Sequence, residues 1–216
     1  MTAAIQYYLR LIAYRQSALP PILSYLALLA MVFANDAGPP VAAATATSVA
    51  LMPVCAWLMR VAGTSESRPF AEMTSVALGG GTRRLMARTG AAALLGCGLS
   101  VLSVIWARVA NPHPYPASTL AIVLGMHLAE VIAGIGVGAL LAPPLRVAAG
   151  AAIVATTALV LLSLLISWMP PLGPVLYRLD RDPVPGAPTL LVAISQAAVF
   201  GGLSLLTAGA LGRRAP

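Results

Sequence analysis

The chain has no lysine: all thirteen of its basic residues are arginine. It has only six acidic residues, and charged residues make up 9% of its 216 positions, where a soluble domain carries about 25%. Hydrophobic residues reach 59%, and mean hydropathy is +0.89. A water-soluble globule of this composition would expose far too much apolar surface. Two cysteines, Cys55 and Cys97, both fall inside apolar runs and read as small buried hydrophobes. With no CxxC and no His/Cys ligand spacing, zinc is excluded, and no resident cofactor is implied. No P-loop, no G-x-S-x-G elbow and no Ser-His-Asp set occurs, so the chain carries no nucleotide-hydrolysing or catalytic motif. The net charge of +7 invites nucleic acid, but the arginines are scattered at the ends of apolar runs. Nucleic acid is therefore excluded as a partner.

What is present is a set of apolar runs, and about 20 such residues cross a bilayer as a helix. Six runs occur, at about 19–35, 40–60, 89–110, 118–142, 146–168 and 189–211. Between them lie turn and breaker sequences: "NDAGPP", the triple-proline "NPHPYP", and "PP" at 143–144. No short alternating segments of a β-barrel are seen. The expected fold class is an all-α, polytopic membrane protein of six spans in a single transmembrane domain, residues 1–216. With six spans both termini share a side. That side would hold ten arginines (10, 15, 60, 68, 83, 84, 88, 146, 213 and 214), against Arg108, Arg178 and Arg181 on the other. The arginine-rich side is cytoplasmic by the positive-inside rule. The first run lacks an A-x-A-like site close behind it, so it reads as a span and not as a cleaved signal.

Three segments outside the runs carry more than connection. Residues 5–16, "IQYYLRLIAYRQ", place Ile5, Tyr8, Leu9 and Ile12 on one helical face, with Gln6, Arg10 and Tyr14 elsewhere. This predicts an interfacial helix; the alternative is a plain extension of the first span. Residues 64–88, "TSESRPFAEMTSVALGGGTRRLMAR", hold two of the six acids and four arginines. They predict a short helix with Phe70, Met73 and Ala77 along one side, ended by the triple glycine, then a flexible basic joint. Glu66, Arg68 and Glu72 would be its exposed polar groups, open to a partner; the alternative is a solvated connecting loop. Residues 169–188 contain six prolines and two glycines but also Val175, Leu176, Tyr177 and Leu179. They read as an external segment, either re-entrant against the bundle or a mobile loop.

Within the fourth run, His127 and Glu130 lie three apart and share a helical face. Intramembrane ionisable groups are costly and often functional, so they are candidates for substrate or ion contact, or for a proton relay. The alternative is a structural pair at a helix contact. The order is wrong for a Glu-x-x-His metal pattern. Gly134, Gly136 and Gly138 follow, and "GGLSLLTAG" in the sixth run is similar; both read as close helix packing.

Taken together, these pieces resemble the permease subunit of an ABC-2 type transporter. The stretch "LMPVCAWLMRV" followed by "SRPFAEMTSVALGGGTRRLMAR" is similar to actinobacterial permeases of that group. The resemblance implies a coupling helix at about Glu66–Leu78, seated in a separate ATPase subunit, with Glu66, Arg68, Phe70, Glu72 and Met73 as contacts. It also implies two ATPase copies binding ATP and Mg, a second permease chain (identical or homologous), and a bacterial cytoplasmic-membrane location. Export of a hydrophobic or amphipathic substrate is the implied activity. The competing expectation is an ion-coupled carrier or channel built on His127 and Glu130.

Overall fold

In a computed structural model, the structure describes residues 1–142, 145, 147–166 and 187–214. The described residues are helical with no strand. In chain order the helices are α1 (Thr2–Tyr14), α2 (Leu19–Val32), α3 (Pro40–Thr64), α4 (Arg68–Ala77), α5 (Gly81–Ala110), α6 (Ala117–Leu141), α7 (Ala149–Leu165) and α8 (Ala187–Arg214). A single 3-10 turn, Gln16–Ala18, joins α1 to α2.

Each of the six apolar runs contains a helix, but the helix lengths differ from the expected set. Four are long and apolar enough to cross a membrane: α3, α5, α6 and residues Ile194–Gly212 of α8. These mark the chain as a membrane protein. The first run stops at Val32, giving a helix of 14 residues, or about 21 Å, and α7 has 17 residues, or about 26 Å. Both are shorter than a hydrocarbon core of about 30 Å. Conversely, α3 continues to Thr64, and α5 begins at Gly81, eight residues before the third run. The basic stretch expected to be a flexible joint is therefore the first two turns of α5.

The core is the seam between α3 and α6, the most extensively packed pair, with α8 on the other side of α6. Glycine makes this approach possible. A Cβ on Gly134 would collide with the Met52 carbonyl, and one on Gly138 with the Ala56 carbonyl. On the α8 side, a Cβ on Gly136 would lie 2.6 Å from the Gly201 Cα. Met52, Cys55 and Ala133 are sealed in this seam, and Leu51, Leu58 and Met126 of the same two helices are also fully buried.

The two ends of the bundle are tied differently. At one end Asn111 donates to the Gly38 carbonyl (3.1 Å) and to Tyr115 Oη (3.2 Å), while His113 meets Asp36 at 3.1 Å. At the other, α1 lies against α5 and α3, burying Tyr8 and Ile12. Here α4 ends in a Schellman arrangement, with Gly80 N–H donating to Ser75 O (2.7 Å) and Gly79 N–H to Val76 O (3.0 Å). Gly79 and Gly80 have φ of 76° and 128°, a backbone that L side chains resist, which accounts for two of the three glycines. The 169–188 segment lies almost wholly outside the described residues.

Candidate functional site

Two carboxylates of the chain occupy opposite environments, and the candidate sites form around them. Glu66 sits in the short link between α3 and α4, two residues before α4 begins. Its side chain is 1% exposed. It is surrounded by donors from every neighbouring element. Tyr7 and Tyr8 of α1 reach it at 3.2 and 2.8 Å, and Thr74 of α4 at 2.7 Å. Arg84 of α5 approaches one oxygen through two nitrogens, at 3.0 and 2.8 Å, and Arg88 one turn on at 3.3 Å. The Arg88 guanidinium also lies over the Tyr8 ring, 5.6 Å from its centroid. Burial, then the neighbouring Glu66, raises the pKa of the Tyr8 phenol above its ordinary value, and Tyr7 shifts the same way for the same reasons. A carboxylate so desolvated is stable only when its lone pairs are met, and here they are.

This corrects two expectations. Glu66 is not an exposed contact residue on the helix but a buried knot holding α1, α4 and α5 together. The helix itself runs Arg68–Ala77, shorter than Glu66–Leu78. The remaining residues do lie outward. Arg68 and Glu72 pair at 3.2 Å on the open surface, a contact of little energetic weight. Phe70 is 63% exposed, Met73 66% and Val76 82%. The inward face of α4 carries Ala71, Thr74, Ser75 and Leu78. Phe70, Met73 and Ala77 thus share an outward face as the spacing indicates, and Val76 joins them there.

Glu130 lies in α6, 1% exposed, and neither carboxylate oxygen has a hydrogen-bond partner among the described residues. His127, one turn away on the same helix, is by contrast fully engaged. Its Nδ1 lies 2.8 Å from the Val123 carbonyl, which can only accept, so Nδ1 carries a proton. Its Nε2 lies 3.2 Å from Thr47 Oγ1 of α3 and 3.0 Å from Ser103 Oγ of α5. The two residues therefore share a face, as the spacing indicates, but no hydrogen bond or ion pair joins them. Around them Ser48 and Ser100 are also buried, each bonded to its own helix backbone. A carboxyl group without a partner among apolar helices costs on the order of 1–3 kcal/mol or more, so something other than stability retains it. Among the described residues no three His, Cys, Asp or Glu side chains gather as a metal site.

Sequence reasoning missed Tyr7, Arg84 and Arg88 as partners of Glu66. It also missed Thr47 and Ser103 as partners of His127. Only the pairing of an aromatic doublet with an arginine-rich helix start hinted at the first group. No family model, no curated protein and no solved structure matches the chain.

Proposed function

We propose that the chain is the permease subunit of an ABC-2 type exporter in a bacterial cytoplasmic membrane. On this reading it has six spans, with α2 and α7 as the short ones, and both termini lie in the cytoplasm. It forms the path for a hydrophobic or amphipathic substrate. Two copies of a separate ATPase subunit bind ATP and Mg and drive transport, and a second permease chain completes the path. The chain itself performs no catalysis.

One observation supports this reading above the others: α4 carries Phe70, Met73 and Val76 outward while the Glu66 knot fixes its inward face. An exposed aromatic and methionine stripe on a firmly mounted short helix is the form of a protein docking element. A push on α4 would reach α1 and α5 through Glu66, and through α5 the spans. The test is affinity purification in mild detergent from a host carrying the native gene neighbourhood. An ATPase subunit is expected to accompany the intact chain. It is expected to be lost from a Phe70→Ser, Met73→Ser, Val76→Ser variant that remains folded. If no ATPase accompanies the intact chain under several extraction conditions, the reading fails.

The partnerless Glu130 favours a second reading, an ion-coupled carrier with Glu130 as the ion or proton site and His127 beside it. Transport that collapses with the proton or sodium gradient, and that Glu130→Gln abolishes, would select this reading over the first.

A further inference from the structure

A cleft of about 660 Å³ opens between α2, α3 and α7. It exists because α7 packs on α3 but hardly elsewhere, burying only Ala152 and Thr156 among its described side chains. Pro20, Leu28, Pro53, Val54 and Ile153 make its wall apolar. It runs from Ser17 in the 3-10 turn along α2 to Leu28, about 17 Å at 1.5 Å per residue. Its volume is in the range of pockets that enclose a small molecule, roughly 300–1,000 Å³.

The two ends of the cleft differ in chemistry. The end near Glu66 is closed by Trp57, whose indole N–H donates to the Ser17 carbonyl at 2.8 Å. A tryptophan so held is the side chain found at headgroup depth. Two arginines flank it. Arg60, one turn along α3, donates to the Leu141 carbonyl at 2.8 Å, and Arg15 donates to the Ser65 carbonyl at 2.6 Å. Both meet backbone carbonyls, and neither forms an ion pair with a carboxylate among the described residues. The cleft's own lining is uncharged throughout, and its opposite end, at Leu28 and Ala50, has no arginine beside it in the chain. Arg60 lines a small adjoining cavity with Trp57 and Thr156, and Arg15 precedes Ser17 by two residues, so an apolar slot with arginines beside one end suits a molecule with an anionic head and a hydrocarbon tail.

We propose that this cleft binds an anionic lipid drawn sideways from the leaflet at the Glu66 end. Its head group sits between Arg15 and Arg60 and its acyl chain lies along α2 past Pro53. The inference stands apart from the permease reading: it requires no ATPase and no transport. Arginines near a membrane surface favour anionic head groups, and the slot supplies what a plain basic surface lacks, a fixed place for the tail.

The experiment reconstitutes the full chain in vesicles containing a trace of phosphatidylglycerol with a photoreactive diazirine on one acyl chain, or the matching phosphatidylcholine. After illumination, labelled peptides are mapped. Phosphatidylglycerol is expected to label α2, the Ala50–Trp57 stretch of α3 and α7 several-fold more than phosphatidylcholine does. Thr157→Trp, which fills the slot from exposed α7, is expected to remove that label. Val101→Trp, on the outer face of α5, is expected to leave it. Arg60→Gln, or Arg15→Gln should the first fail to fold, is expected to bring the two lipids to parity. Labelling spread evenly over the outer faces of α5 and α8 and indifferent to Thr157→Trp would overturn the site. Cleft labelling without head-group preference would overturn the anionic assignment.

Discussion

The Glu66 region and the Glu130 region bury the same functional group by opposite means. Glu66 is met by donors from α1, α4 and α5, and two of those donors are arginines. Glu130 is met by none of the described residues, although hydroxyls of α3 and α5 crowd the next turn around His127. One carboxylate is bound into the architecture; the other is a cost that the surrounding packing has to carry. The difference teaches that burial alone says little about role. A buried acid with all its lone pairs met is a structural joint. A buried acid with none met is held in place by the rest of the fold and is free for some other use.

The sharpest way to break the comparison is to remove each acid in turn. Glu66→Ala leaves Arg84 and Arg88 facing each other in a largely closed space with their counter-charge gone. Breaking a buried pair in this way costs on the order of 3–5 kcal/mol. Thermal unfolding in detergent is expected to fall steeply, and protease access to α1 to rise, because the knot carries the polar contacts that hold Tyr7 and Tyr8 of α1 to the bundle end. Glu130→Met is expected to do the reverse. It replaces a partnerless carboxyl by an apolar side chain of similar length and removes a penalty of roughly 1–3 kcal/mol. The variant is expected to melt at or above the parent temperature. A Glu130→Met protein as damaged as Glu66→Ala would show that Glu130 is a structural joint too, and the contrast would vanish.

A smaller effect comes from pH. The Tyr8 pKa, raised by burial and by Glu66, exceeds the ordinary tyrosine value of 10 that holds in the unfolded chain. The folded state therefore keeps a proton that the unfolded state loses above that pH. The stabilisation is complete below about pH 10 and declines as pH rises further. Unfolding followed from pH 8 to 11 is expected to show this loss at the Glu66 end, and Tyr8→Phe is expected to remove its main part.

Much of this architecture was legible in the sequence, and the failures have physical causes. Run length located all the apolar helices because a bilayer-spanning segment must satisfy its own backbone. It overstated α2, since Ala34 and Asn35 continue the polar-tolerant tail of the run but lie past the helix end. It understated α5, because Arg83, Arg84 and Arg88 read as loop when hydropathy is the only guide. Arg84 and Arg88 sit on an inward face of the helix because Glu66 and Tyr8 supply their partners, while Arg83 stays exposed. Those partners are 18 to 80 residues away in the chain, and no local pattern records them. The outward turn of Phe70 and Met73 was legible only as a shared face. Which way that face points depends on Thr74 bonding Glu66, a tertiary contact.

The smallest expected effect is the most informative about α4. Phe70→Ser, Met73→Ser and Val76→Ser change side chains that are mostly exposed and touch little else in the chain. Surface substitutions of this kind alter stability by no more than about 0.5 kcal/mol each. The triple variant is therefore expected to melt with the parent in detergent. If it melts several degrees lower, the stripe packs against this chain itself, and α4 is part of the Glu66 joint on both faces. If it melts unchanged, the apolar stripe contributes nothing to the fold of the isolated chain. Selection for stability cannot then account for three large apolar residues on one exposed face, and their purpose lies in contact with something outside it.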